Sequence, residues 1–208
     1  MRTTFFAVLT AAAAGTAVAA APAQAATTTW TVTNPNADGA FTSPGGPLTV
    51  KNAAGEVLVT CAGLNASGHA TRRTNTTGAL GTLETSEGTT CAGPGGVKWS
   101  VRIDSSHWNA PLTGTAYDAA QGRTSITAGW VQYVLGSLDG KCAFVTQNTK
   151  LSYVNGTGTL KATTAQAQLG TLPDGTTSCA GSLTAGETIG FDASFKLTPA
   201  IKISATTS

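Results

Sequence analysis

Leu80-Gly81-Thr82-Leu83-Glu84-Thr85-Ser86-Glu87-Gly88-Thr89-Thr90-Cys91-Ala92-Gly93 recurs in the same chain as Leu169-Gly170-Thr171-Leu172-Pro173-Asp174-Gly175-Thr176-Thr177-Ser178-Cys179-Ala180-Gly181, one residue shorter. Each copy ends on Cys-Ala-Gly, and each has another Cys-Ala pair upstream, Cys61-Ala62 in the first half and Cys142-Ala143 in the second. Self-similarity of this kind marks a duplicated unit. The two halves share an order: a cysteine strand, a variable middle, the Leu-Gly-Thr-Leu segment, a second cysteine, a turn, and an amphipathic strand. Trp99, Val101 and Ile103 supply that last strand in the first half, and Phe191, Ala193, Phe195 and Leu197 in the second. The units run over about 26–108 and 109–208. The units could form two beads or one merged core; no Pro/Ser-rich or charged linker separates them, and Asn109-Ala110-Pro111 is only a brief joint, which favours one merged core.

Working outward from the repeat, the chain has 38 threonines and 25 glycines but only 11% charged residues. Threonine suits a pleated, half-exposed surface, and glycine suits tight turns. Thr28–Thr33 alternates, with Trp30 and Val32 on one face. Val57, Val59 and Cys61 also share a face. Asp139-Gly140 and Asn155-Gly156 are hairpin signals. Leu48-Thr49-Val50 reads as a short strand after a break at Pro44-Gly45-Gly46-Pro47, and Ile126–Leu138 reads as strand. Asn65–Gly78 is polar and without a hydrophobic period, which predicts a long exposed loop or edge region. No segment combines a helical period with caps. The expected fold is all-β, a sandwich or barrel built from two related units with little helix.

The first 25 residues have a basic start at Arg2, an apolar stretch and the small-residue exit Ala23-Gln24-Ala25, the pattern of a secretory signal peptide. Residues 26–208 are then the exported domain, secreted and free or associated with the cell wall. Removing Arg2 leaves eleven basic and ten acidic residues, with no basic stripe to neutralise phosphates, so nucleic acid is not expected as a partner. No later run is long enough for a membrane helix. In an oxidising compartment the cysteines are expected as two disulfides. Three pairings are open. The repeat favours Cys61 with Cys91 and Cys142 with Cys179.

The tryptophan near the start of the exported domain, the Cys61 strand, Cys91-Ala92-Gly93-Pro94-Gly95-Gly96 before an aromatic strand, Cys142, Cys179-Ala180-Gly181 and the closing Leu197-Thr198-Pro199-Ala200-Ile201-Lys202-Ile203 carry a resemblance. Together they resemble a family of small secreted actinobacterial proteins of the Streptomyces type, over nearly all of the exported domain. The resemblance implies a disulfide-bearing β fold. It implies no activity, cofactor or ligand.

Catalytic signatures are not found. Asp104-Ser105-Ser106-His107 is the only local grouping of nucleophile, base and acid, and strand alternation would put Ser106 and His107 on opposite faces. There is no Gly-x-Ser-x-Gly elbow, no HExxH and no Asp-x-Asp cluster, so neither a catalytic site, a metal site nor a cofactor is expected. Weak binding candidates are His69, Arg72 and Arg73, which could meet an anionic envelope polymer. Trp108 beside His107, Trp130 with Tyr133, and Tyr117 could form an aromatic platform for sugars; filling the core is the competing use for these rings. The expectation is a secreted, non-catalytic binding or structural protein of the cell surface, with an envelope glycan or another extracellular protein as partner. The rivals are a hydrolase of an extracellular polymer and a protein that associates by adding an exposed strand.

Overall fold

A computed structural model of the chain describes residues 26–103, 110–129, 133–169, 179 and 181–208. Its regular elements are strands, apart from one 3-10 turn at Pro94–Gly96. In chain order the strands are β1 (Thr28–Thr33), β2 (Ala40–Lys51), β3 (Val57–His69), β4 (Arg73–Asn75), β5 (Ala79–Ala92), β6 (Lys98–Ile103) and β7 (Ala110–Asp118). They continue as β8 (Arg123–Ala128), β9 (Tyr133–Ser137), β10 (Ala143–Val154), β11 (Thr159–Leu169), β12 (Thr188–Lys196) and β13 (Lys202–Thr207).

The antiparallel pairings close into a ring. From β2 the order runs to β3, β5, a composite stave of β6 and β7, a second composite stave of β8 and β9, then β10, β11, β12 and back to β2. β6 lies along the Glu87–Ala92 end of β5 and β7 along its Ala79–Leu83 end. β9 and β8 divide the length of β10 in the same way. Apart from the closing β12–β2 pair, each stave pairs with the stave that follows it along the chain. Closure removes the edges of the barrel itself, and β4 and β13 remain as the edges of a small three-stranded sheet.

The chain closes this way because of its alternation. In β12, Ile189, Phe191, Ala193 and Phe195 are buried while Asp192 and Lys196 are exposed; in β11, Leu160 and Ala162 are buried while Lys161 and Thr163 are exposed. Apolar faces therefore point inward, and the outer wall is threonine, lysine and aspartate. A barrel of this strand number has an interior that side chains can just fill. Leu48, Val50, Leu64, Leu83, Val101, Leu135, Phe144 and Ile189 join one core cluster drawn from both halves of the sequence. A residual cavity of about 10 Å³ among Phe41, Leu80, Leu112, Tyr153 and Ile203 has hardly room for one water.

The two ends are finished differently. At one end a three-stranded sheet, ordered β13-β1-β4, lays Val32 and Ile203 against the core, with Ile201 just before β13, meeting Phe41, Leu80, Leu112, Ile126, Tyr153 and Leu160 from six staves. The phenol of Tyr153 donates to the Ile201 carbonyl at 2.6 Å, and burial pushes its pKa up to about 12. The Asn155 side chain takes the place of a strand beside β13: its Nδ2 donates to the Ile203 carbonyl at 2.7 Å, and its Oδ1 accepts the Ile203 N–H at 2.9 Å. Towards the other end lie the two disulfides, Cys61–Cys91 and Cys142–Cys179, the pairing that the repeat favours. Cys61 and Cys91 face each other directly across β3 and β5. Trp99 and Phe144 meet edge to face nearby, with ring centroids 6.2 Å apart.

Three local expectations are revised. β2 runs unbroken through Pro44–Pro47, with register shifts absorbing the irregular residues. The stretch from Asn65 to Gly78 is mostly strand: Asn65–His69 completes β3 and Arg73–Asn75 is the edge strand β4. The hydrophobic period is hidden because the inward residues are Ala66 and Gly68, and a Cβ on Gly68 would lie 2.6 Å from the Phe41 ring. The Ile126–Leu138 stretch divides between the end of β8 and β9.

Candidate functional site

A wedge of about 330 Å³ opens where the free end of the small sheet overhangs the barrel wall. Thr28 and Trp30 of β1 with Ala205 and Thr207 of β13 line one side. Gly114, Thr115, Ala116 and Tyr117 of β7 line the other, and Thr76, Thr77 and Gly78 form the side wall. The strand pattern explains the placement. Thr28, Trp30, Ala205 and Thr207 all occupy the face of the ribbon that also carries the buried Val32 and Ile203, with Trp30 opposite Ala205 and Thr28 opposite Thr207.

Trp30 sets the depth of the wedge. It is only 4% exposed, and its ring covers Gly114 so closely that a Cβ there would lie 2.6–2.9 Å from three ring atoms. Beyond Trp30 the side chains become small or hydroxylated, and the two layers are no longer filled. The Thr28 and Thr207 hydroxyls lie 3.3 Å apart, the Thr115 hydroxyl donates to the Ser125 carbonyl at 3.2 Å, and the Thr77 hydroxyl donates to Asn75 Oδ1 at 3.0 Å. Half-buried Tyr117 supplies the accessible aromatic surface. Among the described residues the lining is threonine, glycine, alanine and two aromatic rings, with the Tyr117 phenol as its one titratable group.

The other candidates do not converge on it. His69 Nδ1 lies 2.6 Å from Glu84 Oε1, on partly exposed side chains, while the Arg73 guanidinium turns back to the Thr71 hydroxyl at 3.1 Å and Arg72 is exposed. His69 and Arg73 thus engage different neighbours, Glu84 and Thr71. His107, Trp108, Trp130 and the Asp104–His107 grouping lie outside the described residues, as does the side chain of Tyr133. Among the described residues no group of three or more His, Cys, Asp or Glu side chains could hold a metal ion. No helix of the described residues is long and apolar enough to cross a membrane.

A second, open groove of about 570 Å³ is lined by Asn52, Glu56, Ser182, Leu183, Thr184 and Glu187. It brings two carboxylates together, which polymer hydrolysis would need. Both oxygens of Glu187 are occupied, however, accepting the Ala53 N–H at 2.6 Å and the Thr184 N–H at 2.7 Å. Glu56 accepts from Asn52 Nδ2 at 2.8 Å, and the same Asn52 nitrogen also reaches the Ser182 carbonyl. This network ties the β2–β3 turn to the loop before β12. Each Glu187 oxygen thereby holds one of the two loop segments in place.

Of these features the sequence singled out Tyr117 alone for the wedge. Trp30 was legible as a core-facing strand residue, and nothing in its spacing marks it as the base of a slot. The signal that could have found the wedge is the run of small residues Gly114, Thr115 and Ala116 on a strand whose neighbours are large. No protein-family model, curated protein or solved structure matches this chain.

Proposed function

We propose that this protein is exported, loses residues 1–25, and acts outside the cell as a non-catalytic binding component of the cell surface. The observation that carries the reading is the wedge itself: a hydroxyl-lined recess whose described lining is threonine, small residues and two aromatic rings. Export is supported by the two intramolecular disulfides, which form and persist in oxidising compartments. An outer wall of threonines and charges supports contact with water and polar polymers. The described strands run from Thr28 to Thr207, and residues 26–208 are the species to test.

The test is co-sedimentation of oxidised protein, residues 26–208, with cell-envelope preparations, beside a reduced and unfolded sample. Envelope binding that requires the folded state is the expected result. Recovery of all the protein in the supernatant would overturn the reading. The hydrolase reading has one supporting observation, the shared groove of Glu56 and Glu187. Release of soluble fragments from an envelope polymer, abolished by Glu56→Gln, would establish it in place of the binding reading.

A further inference from the structure

We propose that the wedge between the β1–β13 ribbon and β7 is a site for a neutral saccharide, entered by a sugar ring that lays one face on Tyr117. This inference rests on the binding reading above and names its ligand.

The first argument is shape. Face-to-face sheets pack about 10 Å apart, and side chains normally fill the gap. Here Trp30 props the layers at the base, and Ala205, Ala116, Gly114 and Gly78 contribute little or nothing beyond it. What remains is a slot rather than a bowl, and its volume of about 330 Å³ lies at the lower end of the range for small-molecule sites. A slot suits a flat, compact ring and excludes a bulky, branched side chain.

The second argument is chemistry. Five threonines, Thr28, Thr76, Thr77, Thr115 and Thr207, line the slot together with Tyr117. Where a threonine hydroxyl already donates, as Thr115 does to Ser125 and Thr77 does to Asn75, its oxygen keeps lone pairs and can accept from a ligand hydroxyl. A saccharide offers both parts of the match: several hydroxyl donors at its rim, and an apolar C–H face for the tyrosine ring. A purely apolar ligand would leave the threonines without their hydration and return nothing for it.

The third argument is charge. Among the described residues no cation or anion lines the slot. A uronate or phosphate polymer would lose the hydration of its charge and find no counter-ion. Arg72 and Arg73, the residues that could attract such a polymer, are not among the residues that line the slot.

The experiment is calorimetric titration of the oxidised protein with short neutral cello-, xylo-, manno- and chito-oligosaccharides, and with polygalacturonate as the anionic probe. The parent should bind at least one neutral series and not the polygalacturonate. Ala116→Trp, which fills the slot from an exposed position, should abolish that binding. Tyr117→Ala should weaken it about tenfold, and Glu56→Gln should leave it unchanged. Circular dichroism must show all three variants folded as the parent; Thr115→Val, which removes one hydroxyl from an exposed position at constant size, replaces any that is not. Neutral binding that survives Ala116→Trp, or no neutral binding at all, overturns the inference. If the polygalacturonate or the envelope still binds in that case, the saccharide assignment fails alone. If the envelope does not bind either, the binding reading fails with it.

Discussion

Asn155 is the most informative single residue to change. Its amide makes two hydrogen bonds to one residue, at 2.7 Å to the Ile203 carbonyl and 2.9 Å from the Ile203 N–H, on the side of β13 opposite β1. Ile203 is 1% exposed, so water cannot readily replace either bond. Asn155→Ala leaves one buried donor and one buried acceptor without their partner. At about 1–2 kcal/mol for each group, the loss should be about 2–4 kcal/mol. For a domain of this size that lowers the thermal midpoint by roughly 5–15 °C. Calorimetric or circular dichroism melts of parent and variant measure it.

Asn155→Asp adds a sign to the test. The introduced carboxylate would face the Ile203 carbonyl, and repulsion raises its folded pKa above the unfolded one. The protonated acid can donate as the amide does. The variant's deficit should therefore shrink below the unfolded carboxyl pKa and return as the pH rises through the folded one. Because β13 carries Ala205 and Thr207, both substitutions should also weaken saccharide binding. An Asn155→Ala midpoint within about 0.5 kcal/mol of the parent would refute the reasoning that this side chain acts as a strand.

Two further predictions concern the core. Tyr153 has a folded pKa raised from 10.0 to about 12 by burial, so the unfolded chain releases this proton first; the stability it contributes is complete below pH 10 and falls as pH rises from 10 to about 12. The fall should be roughly 3 kcal/mol in denaturant titrations; Tyr153→Phe should remove it and cost about 1–3 kcal/mol at neutral pH through the orphaned Ile201 carbonyl. Gly88→Ala would bring a methyl to 2.6 Å from Cys91 Sγ and 3.0 Å from Cys61 Sγ, so it should cost about 1–3 kcal/mol; a denaturation midpoint equal to the parent's would show that the disulfide has room to shift.

The strand class was legible because alternation is a local property. Phe191, Ala193, Phe195 and Leu197 alternate with polar residues in sequence and are buried in the fold. The cysteine pairing was legible in the repeat, although the two copies of Leu-Gly-Thr-Leu occupy different settings. Leu80 lies near the start of β5, whereas Leu169 ends β11, and Gly170–Ser178 and Ala180 fall outside the described residues. The sequence offered a sandwich or a barrel without choosing between them, because closure depends on β12 meeting β2 across most of the chain. The wedge was hidden for a related reason. It depends on two segments far apart in sequence, Thr28–Trp30 and Gly114–Tyr117, and on what their side chains fail to fill. Sequence periodicity reports which residues face inward, and it carries no information about a gap between layers.

The most direct test of the saccharide slot is an amide nuclear magnetic resonance titration of the oxidised protein with the neutral oligosaccharide that binds best. The account predicts that shifts concentrate at Thr28, Trp30, Gly114–Tyr117 and Thr207, with the Trp30 indole among them. Shifts confined to Asn52–Glu56 and Gly181–Glu187, or to Arg72 and Arg73, would contradict it and move the site to that surface.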